Sequence, residues 1–316
     1  MTAAMSKSSR LLALWGLIIM ASVCMSPSTA VAAGKTIGVV MTGNIAYYKD
    51  IHKAFSDGLA AEGFGPGSAE VVLQTPTPEP MSWSNSIRKL VAIGAHVIVT
   101  YGAPATATAM AENSDIPVVF AGVYDPQSLG MQGKNATGIS STVPVASLVK
   151  NLKAISGCST LGVVYSTSEK DTVLQADDVT RLEATYGYRS TKFNVKKPDD
   201  IAKISNVDAL FLSTGCAAML CVTNVISAVR KAKIPTATTI GGGEQSGIIL
   251  TLAANPQEQG REAARIAARV LKGEKPSSIP IEQPKKIDFI INLKEATDMG
   301  LKVPFDILTS ATKVIK

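Results

Sequence analysis

Residues 97–120, VIVTYGAPATATAMAENSDIPVVF, decide the fold because they contain one complete unit of an alternating pattern. The β-branched run at 97–99 predicts a strand, 105–112 predicts a helix, and 118–120 predicts the next strand. Neither strand alternates with polar residues, which is typical of strands covered on both faces of a parallel sheet. This unit therefore predicts an α/β fold with helices on both sides of a parallel sheet.

The same pattern continues on both sides of this unit and falls into two series. Further strands are predicted at 36–40, 71–73, 161–165, 209–212 and 248–250. The second series begins near Pro144, and a Pro-rich tail after 275 is too short to form a domain of its own. We therefore predict two doubly wound parallel-sheet lobes joined by a hinge: 33–143 plus 255–316 as the first lobe, and 144–254 as the second.

Composition narrows the class of protein. The chain has 316 residues, of which 46% are hydrophobic and 18% are charged, so it is too apolar to be disordered. Its formal net charge of +6 is not gathered into a Lys/Arg block, and we expect no nucleic-acid partner. Residues 90–111 and 209–229 lack charged side chains, but glycines interrupt each stretch, which favours a buried strand, turn and helix over a membrane span.

Residues 1–32 have the three parts of a secretory signal peptide. Lys7 and Arg10 precede the apolar run 11–23, and Ala30-Val31-Ala32 matches the small-x-small cleavage rule. The alternatives are a lipoprotein cut before Cys24, which Val23 disfavours, and an uncleaved anchor. We predict a periplasmic or extracytoplasmic protein whose mature chain starts near Ala33.

Ligands of open parallel sheets bind outside the carboxyl ends of the strands, so the loops there hold the candidate site. These loops are mostly neutral, and their charged side chains are few: Asp125, Glu169, Lys170, Asp171 and Glu244. Such loops predict a small neutral or zwitterionic ligand, although Gly- and Ser-rich loops are also ordinary connections. The candidates taken from these loops are Thr42, Asn44, Tyr47, Tyr48, Gly102, Ala103, Pro104, Tyr124, Asp125, Thr214, Gly215, Cys216 and Glu244.

Signatures of enzymes and metal sites are missing from the sequence. The chain has two His and none of the common phosphate-binding, nucleophile-elbow or zinc-protease motifs, so we expect no catalysis, no cofactor and no metal. After the leader, Cys158, Cys216 and Cys221 remain. A Cys216–Cys221 disulfide and three buried free thiols both stay open.

The chain resembles the periplasmic substrate-binding proteins of ABC importers, in the group that includes tryptophan- and phenylalanine-binding members. The resemblance is carried by motifs in order along almost the whole mature chain: KTIGVV at 35–40, FSDGLAAEG at 55–63, IPVVFAGVYDP at 116–126, NATGIS at 135–140, GREAA at 260–264, VLKGEKP at 270–276 and INLK at 291–294. It implies a type I periplasmic binding fold, with two lobes joined by three crossovers.

The resemblance also implies a ligand trapped at the hinge and delivered to a membrane permease by a monomer. A sensory or receptor role is the alternative. The cleft positions that the resemblance implies coincide with candidates already named, and they add Ser140 and Ser141. Two positions depart from the family, which commonly has Thr at Ala103 and Asp at Gly215. In amino-acid binders that Asp receives the ligand ammonium, so Asp125 or Glu244 is left as the substitute.

Overall fold

A computed structural model of the chain contains two β-sheets, each covered by helices on both faces. The structure describes residues 34–113, 115–131, 134–215, 220, 222–242 and 247–316. The predicted fold class is confirmed, because each sheet with its helices forms an α/β lobe in which parallel pairing predominates.

The first sheet has five parallel strands in the order β2-β1-β3-β4-β5. Its strands are β1 (Lys35–Met41), β2 (Ala69–Gln74), β3 (Val97–Tyr101), β4 (Val118–Val123) and β5 (Ala136–Ser140). The helices between them are α1 (Ala46–Ala61), α2 (Pro80–Ala92) and α3 (Ala103–Glu112). Every residue of β3 and β4 is buried, as the uninterrupted apolar runs predict.

The second sheet has seven strands in the order β12-β11-β10-β9-β8-β6-β7. Its strands are β6 (Thr160–Tyr165), β7 (Arg189–Asn194), β8 (Ala209–Leu212), β9 (Thr236–Thr238), β10 (Leu250–Ala254), β11 (Ile287–Asn292) and β12 (Lys313–Ile315). The helices from here to the C-terminus are α4 (Val145–Ser156), α5 (Lys170–Arg181), α6 (Glu183–Tyr186), α7 (Val222–Arg230), α8 (Pro256–Leu271), α9 (Leu293–Asp298) and α10 (Phe305–Ser310). Short 3₁₀ turns occupy Pro198–Lys203 and Pro276–Ser278.

The C-terminal tail divides between the lobes, which differs from the predicted assignment of 255–316 to the first lobe. Helix α8 does pack on α1 in the first lobe. Strand β11, however, pairs antiparallel with β10, and β12 then adds to β11, so the last strands extend the second sheet. Strand β10 offered an edge with unpaired backbone groups, and β11 satisfies them.

The contact between α1 and α8 holds the loop after β1 in place. Ile51, Phe55 and Leu59 lie on the buried face of α1, as their helical spacing predicts. A Cβ at Gly260 on α8 would lie only 2.3 Å from the carbonyl oxygen of Ile51. Glycine at 260 therefore allows the two helix backbones to approach closely, which fixes the start of α1 at the edge of the sheet.

Apolar stretch 90–111 is made of the end of α2, strand β3 and most of α3, as the sequence predicts. Among the described helices, none combines the length and the apolar character needed to cross a bilayer.

Candidate functional site

The carboxyl edges of the two sheets face each other. Gly242 follows β9 in the second lobe, and a Cβ there would lie 2.7 Å from Cβ of Ala46, the first residue of α1 in the first lobe. Helix α3 also contacts α5 across the same gap. The loops that follow the strands of both lobes therefore meet in one cleft, as expected for an open parallel sheet.

A cavity of about 240 Å³ lies in this cleft and takes its walls from both lobes. The first lobe contributes the early turns of α2 and α3, and the second lobe contributes the loop after β6. The lining residues are Pro80, Trp83, Ala103, Pro104, Ala107, Thr108, Leu129, Ser168 and Lys170. The cavity therefore has a mainly apolar wall on one side and a polar loop on the other.

Trp83 supplies an aromatic face that the sequence analysis missed. Its side chain is 3% exposed, and its Nε1–H donates to the carbonyl oxygen of Thr42 over 2.8 Å. That bond fixes the indole against the loop after β1. The sequence signal that could have identified Trp83 is its position in the first turn of α2. This helix follows the carboxyl end of β2, at the same edge of the sheet as the other candidates.

Three of the predicted site residues pack against one another next to the cavity and do not line it. Thr42, Tyr48 and Gly102 are buried against one another. Gly102 has φ of +93°, and a Cβ there would lie 2.3 Å from the Tyr48 hydroxyl oxygen and 2.6 Å from Thr42 Oγ1. Thr42 Oγ1 accepts a hydrogen bond from the Ala105 N–H over 3.2 Å. This packing places Ala103 and Pro104, two predicted residues, at the cavity wall.

A second cavity, of about 380 Å³, lies beside the crossovers and is lined in part by Tyr47, Gly242 and Asp288. The Tyr47 hydroxyl donates to the Ala254 carbonyl oxygen over 2.9 Å. Burial, and secondarily the charge of Asp288, raises the pKa of Tyr47, so the phenol stays neutral. Because this larger cavity adjoins the covalent connections between the lobes, we consider the smaller cavity the better candidate for a ligand that closes them.

Asn44, the remaining candidate of the first loop, is exposed.

The segments that connect the lobes are bonded side by side. Gln259 on α8 accepts from the Gly122 N–H over 2.8 Å and donates to the Ser140 carbonyl oxygen over 2.7 Å. Ser140 Oγ in turn donates to Gln283 Oε1 over 2.7 Å. Predicted residue Ser140 is therefore part of the hinge. The hydroxyl of its neighbour Ser141 is buried and has no partner in the described part of the chain.

Tyr124 and Asp125 are occupied by contacts within the protein. The Tyr124 ring packs in the core of the second lobe, and its hydroxyl donates to Asp178 Oδ2 over 2.8 Å. Burial first, and then this carboxylate, raises the pKa of Tyr124. Asp125 accepts from the backbone N–H and the hydroxyl of Ser128 over 3.0 and 2.5 Å. Asp125 therefore stabilises its own turn and is a poor substitute for the missing acid at 215.

The second lobe places two acidic side chains at the cleft edge. Glu169 and Asp171, at the start of α5, are only 3% and 2% exposed. A Cβ at Gly215 would lie 3.5 Å from Glu169 Oε1, so this carboxylate stands next to the predicted site residue Gly215. Burial, and then the charge of Glu169, raises the pKa of Asp171 to about 7.

Thr214, another predicted residue, connects this acidic pair to a buried amide. Thr214 Oγ1 lies 3.5 Å from Asp171 Oδ2, and its N–H donates to Gln175 Oε1 over 3.0 Å. Gln175 Oε1 also accepts from Thr239 Oγ1 over 2.9 Å. The Gln175 Nε2 group is buried without a hydrogen-bond partner among the described residues.

Several predictions fall on residues that the structure does not describe. They are the signal peptide 1–32, Cys216, Glu244 and the Cys216–Cys221 disulfide. Cys158 is a buried free thiol. Within the described ranges, no group of three or more His, Cys, Asp or Glu is arranged to hold a metal ion.

Residues 36–315 match the sequence model of a family described as ABC transporter substrate binding protein. The chain belongs to this family. Its members bind small ligands, interact with ABC permeases and are extracytoplasmic. No curated protein matches the chain in sequence.

Solved structures with the same fold extend over nearly the whole chain. An ABC domain from Streptococcus pneumonia in complex with L-Trp has TM-score 0.85 and 24% identity and covers 90% of this chain and 100% of its own. A conserved domain protein from Vibrio cholerae has the same TM-score and identity, and the match covers 89% of this chain and 99% of that protein. The ligand-free, open structure of a substrate binding protein from Clostridium difficile has TM-score 0.65 and 21% identity. The match covers 89% of this chain and 99% of that protein.

Proposed function

We propose that this protein is the solute-binding subunit of an ABC importer and traps a small neutral or zwitterionic ligand in the cavity between its lobes. The observation that carries the proposal is the cavity of about 240 Å³ whose walls come from α2 and α3 on one side and the loop after β6 on the other. A ligand there contacts both lobes only when they are closed.

Contact with both lobes is what allows a ligand to drive closure. A ligand shifts the equilibrium between open and closed forms by the difference between its affinities for them. The two lobes of this structure approach each other closely at Ala46 and Gly242.

The cavity offers binding groups and no catalytic ones. Among the described residues, its lining is apolar apart from Thr108, Ser168 and Lys170, and it includes no His or Cys. We therefore infer that the protein releases its ligand unchanged to a membrane permease and needs no cofactor. We further propose that it acts as a monomer and does not bind nucleic acid, since its charge forms no basic run.

Export is part of the proposal. Residues 1–32 have the layout of a cleavable signal peptide, and a lipoprotein formed at Cys24 is the less favoured form. Intact-mass measurement of the protein recovered from the periplasm tests this directly. A mass corresponding to a chain starting near Ala33 supports cleavage, and a lipid-modified Cys24 or an intact leader contradicts it.

The function is tested by filling the cavity. Ala107 on α3 lines it, whereas Ala111 lies one turn further along and is exposed outside it. We expect ligand to co-purify with the wild type and with Ala111→Trp but not with Ala107→Trp, as measured by mass spectrometry of denatured protein. Small-angle scattering of stripped wild type should show a smaller radius of gyration after the ligand is added back. Equal ligand in both variants, or no change in radius, would refute trapping in this cavity.

A separate experiment distinguishes import from sensing. Deletion of the gene should abolish uptake of the identified ligand by cells. Unchanged uptake combined with a lost transcriptional response to the ligand would favour a sensory receptor.

A further inference from the structure

The loop that follows β9 in the second lobe packs on the start of α1 in the first lobe. Ile240, in this loop, is 1% exposed and belongs to the buried apolar cluster that also contains Ile45 and Tyr47. The other buried members of that cluster come from the first lobe. Ile240 therefore buries its side chain in the core of the lobe opposite to its own.

Two residues further on, the same loop leaves no room for a side chain. Gly242 has φ of +88°, and a Cβ there would lie 2.7 Å from Ala46 Cβ. That distance is well inside the roughly 3.5–4.0 Å at which carbon atoms pack. The next nearest atoms, the Tyr47 backbone nitrogen and the Ala46 carbonyl carbon, would lie at 3.4 and 3.7 Å, which are ordinary contacts. The methyl group of Ala46 is therefore what a side chain at 242 would collide with.

A hydrogen bond beside this contact also joins the two lobes. The Tyr47 hydroxyl donates to the carbonyl oxygen of Ala254, the last residue of β10 in the second sheet, over 2.9 Å. Helix α1, which carries both Ala46 and Tyr47, is fixed in the first lobe by its packing on α8. The start of α1 therefore meets the second lobe through apolar packing, a close backbone approach and a buried hydrogen bond.

We propose that Ile240, Gly242 and Ala46 form an interlobe contact that exists without ligand and sets the separation of the lobes, so that these residues tune ligand affinity from outside the proposed cavity. The described lining of that cavity contains none of the three. The part of the inference that concerns affinity rests on the proposed function, whereas the contact itself requires no ligand.

Burial of Ile240 gives the contact its strength. Separating the lobes at this point would expose the Ile240 side chain together with the apolar surface that covers it. Burying a side chain of this size changes an equilibrium constant by roughly 10- to 100-fold. A form in which the contact is broken is disfavoured by that factor. The affinity of a ligand that needs the lobes together increases with the population of that arrangement.

Glycine at 242 gives the contact its geometry. Any larger residue must push Ala46 away, and because α1 is anchored on α8, the lobes must then move apart. The backbone strain of a non-glycine residue at φ of +88° is a separate effect. Removing the Ala46 methyl relieves the collision but not the strain. Comparison of Gly242→Ala with the double variant that also carries Ala46→Gly therefore distinguishes the two effects.

Small-angle scattering of protein stripped of ligand by unfolding and refolding is the first test. Gly242→Ala should have a larger radius of gyration than the wild type, and the double variant with Ala46→Gly should return to the wild-type value. Gly63→Ala is the control for strain and should leave the radius unchanged, because Gly63 has φ of +92° and nothing within 4 Å of a Cβ. Ile240→Ala should also increase the radius. Ile201→Ala, at a site 5% exposed in a cluster of the second lobe, should not.

Affinity is the second test, with the compound that co-purifies with the wild type as the probe. Gly242→Ala and Ile240→Ala should each weaken binding by roughly 10-fold, and the double variant should recover to within about threefold of the wild type. Gly63→Ala and Ile201→Ala should stay within about twofold of the wild type. Circular dichroism and thermal unfolding show which variants fold.

The outcomes separate the inference from the proposed function. A larger radius and weaker binding in the two single variants, with recovery in the double variant, support the inference. Unchanged radii in folded Gly242→Ala and Ile240→Ala, a larger radius with full affinity, or no recovery on removal of the Ala46 methyl overturn it and leave the proposed function intact. If no compound co-purifies with the wild type, the proposed function is contradicted, while the radii still decide whether the contact holds the lobes together.

Discussion

Replacing Asp171 by Asn measures the cost of burying a carboxylate at the cleft. The pKa of Asp171 is raised from 3.8 to about 7, first by burial and then by the charge of Glu169. At pH values between 3.8 and about 7, the Asp171 carboxyl is protonated in the folded protein and ionised in the unfolded chain. Stability therefore decreases as the pH rises through this window, and the decrease is complete above the folded-state pKa.

The size of the effect follows from the width of the window. Each unit between the two pKa values corresponds to about 1.4 kcal/mol, so the interval from pH 5 to pH 7 corresponds to about 3 kcal/mol. The Asn side chain cannot ionise and avoids this cost. We expect the difference in free energy of unfolding, Asp171→Asn minus wild type, to increase by about 2–3 kcal/mol between pH 5 and pH 8.

Urea denaturation of ligand-free protein at the two pH values gives this difference. The Asp177→Asn variant, which loses an exposed ion pair with Lys192, is the matched control and should change stability by under about 1 kcal/mol at either pH. If the difference between Asp171→Asn and wild type is the same at pH 5 and pH 8, the carboxyl is not held in an unfavourable buried site.

Further substitutions test the packing around the cleft. Gly102→Ala should destabilise the protein by about 2–5 kcal/mol, because a Cβ at φ of +93° would also lie 2.3 Å from the Tyr48 hydroxyl oxygen. Gly63→Ala, at φ of +92° with nothing within 4 Å, should cost only about 1–2 kcal/mol in the same urea experiment, and equal costs would contradict the steric account. Tyr124→Phe should lower the free energy of unfolding by about 1–3 kcal/mol through loss of the bond to Asp178; an additive double-mutant cycle with Asp178→Ala, which removes the acceptor, would show that the bond contributes nothing.

Local sequence pattern was sufficient to predict the alternation of strands and helices. The apolar runs at 97–99 and 118–120 appear as the buried strands β3 and β4, and the helix predicted at 105–112 appears as α3. These elements depend on residues close in the chain, since apolar spacing and turn residues act over a few positions. The pairing of β11 with β10 could not be predicted in this way, because hydrogen bonds between strand edges are formed by segments distant in sequence.

Two residues of the cavity lining were among the candidates taken from the sequence. Ala103 and Pro104 line the cavity because they directly follow a strand, which is the rule the sequence analysis used. Thr42, Tyr48 and Gly102 follow the same rule, yet they pack beneath the cavity, since neighbouring residues of one loop point to different sides. Trp83 was missed because it lies in a helix several residues after its strand.

The sequence by itself determined the alternation of strand and helix, the two-lobed α/β fold and the absence of familiar enzyme motifs, because each depends on composition or on short-range spacing. Only the tertiary structure decided which residues meet at the cleft. Strand order brings the loop after β6 beside the loop after β8, so Glu169 stands next to Gly215 and Asp171 next to Thr214. Electrostatic partners are set by distance in space, and a linear sequence does not contain that distance.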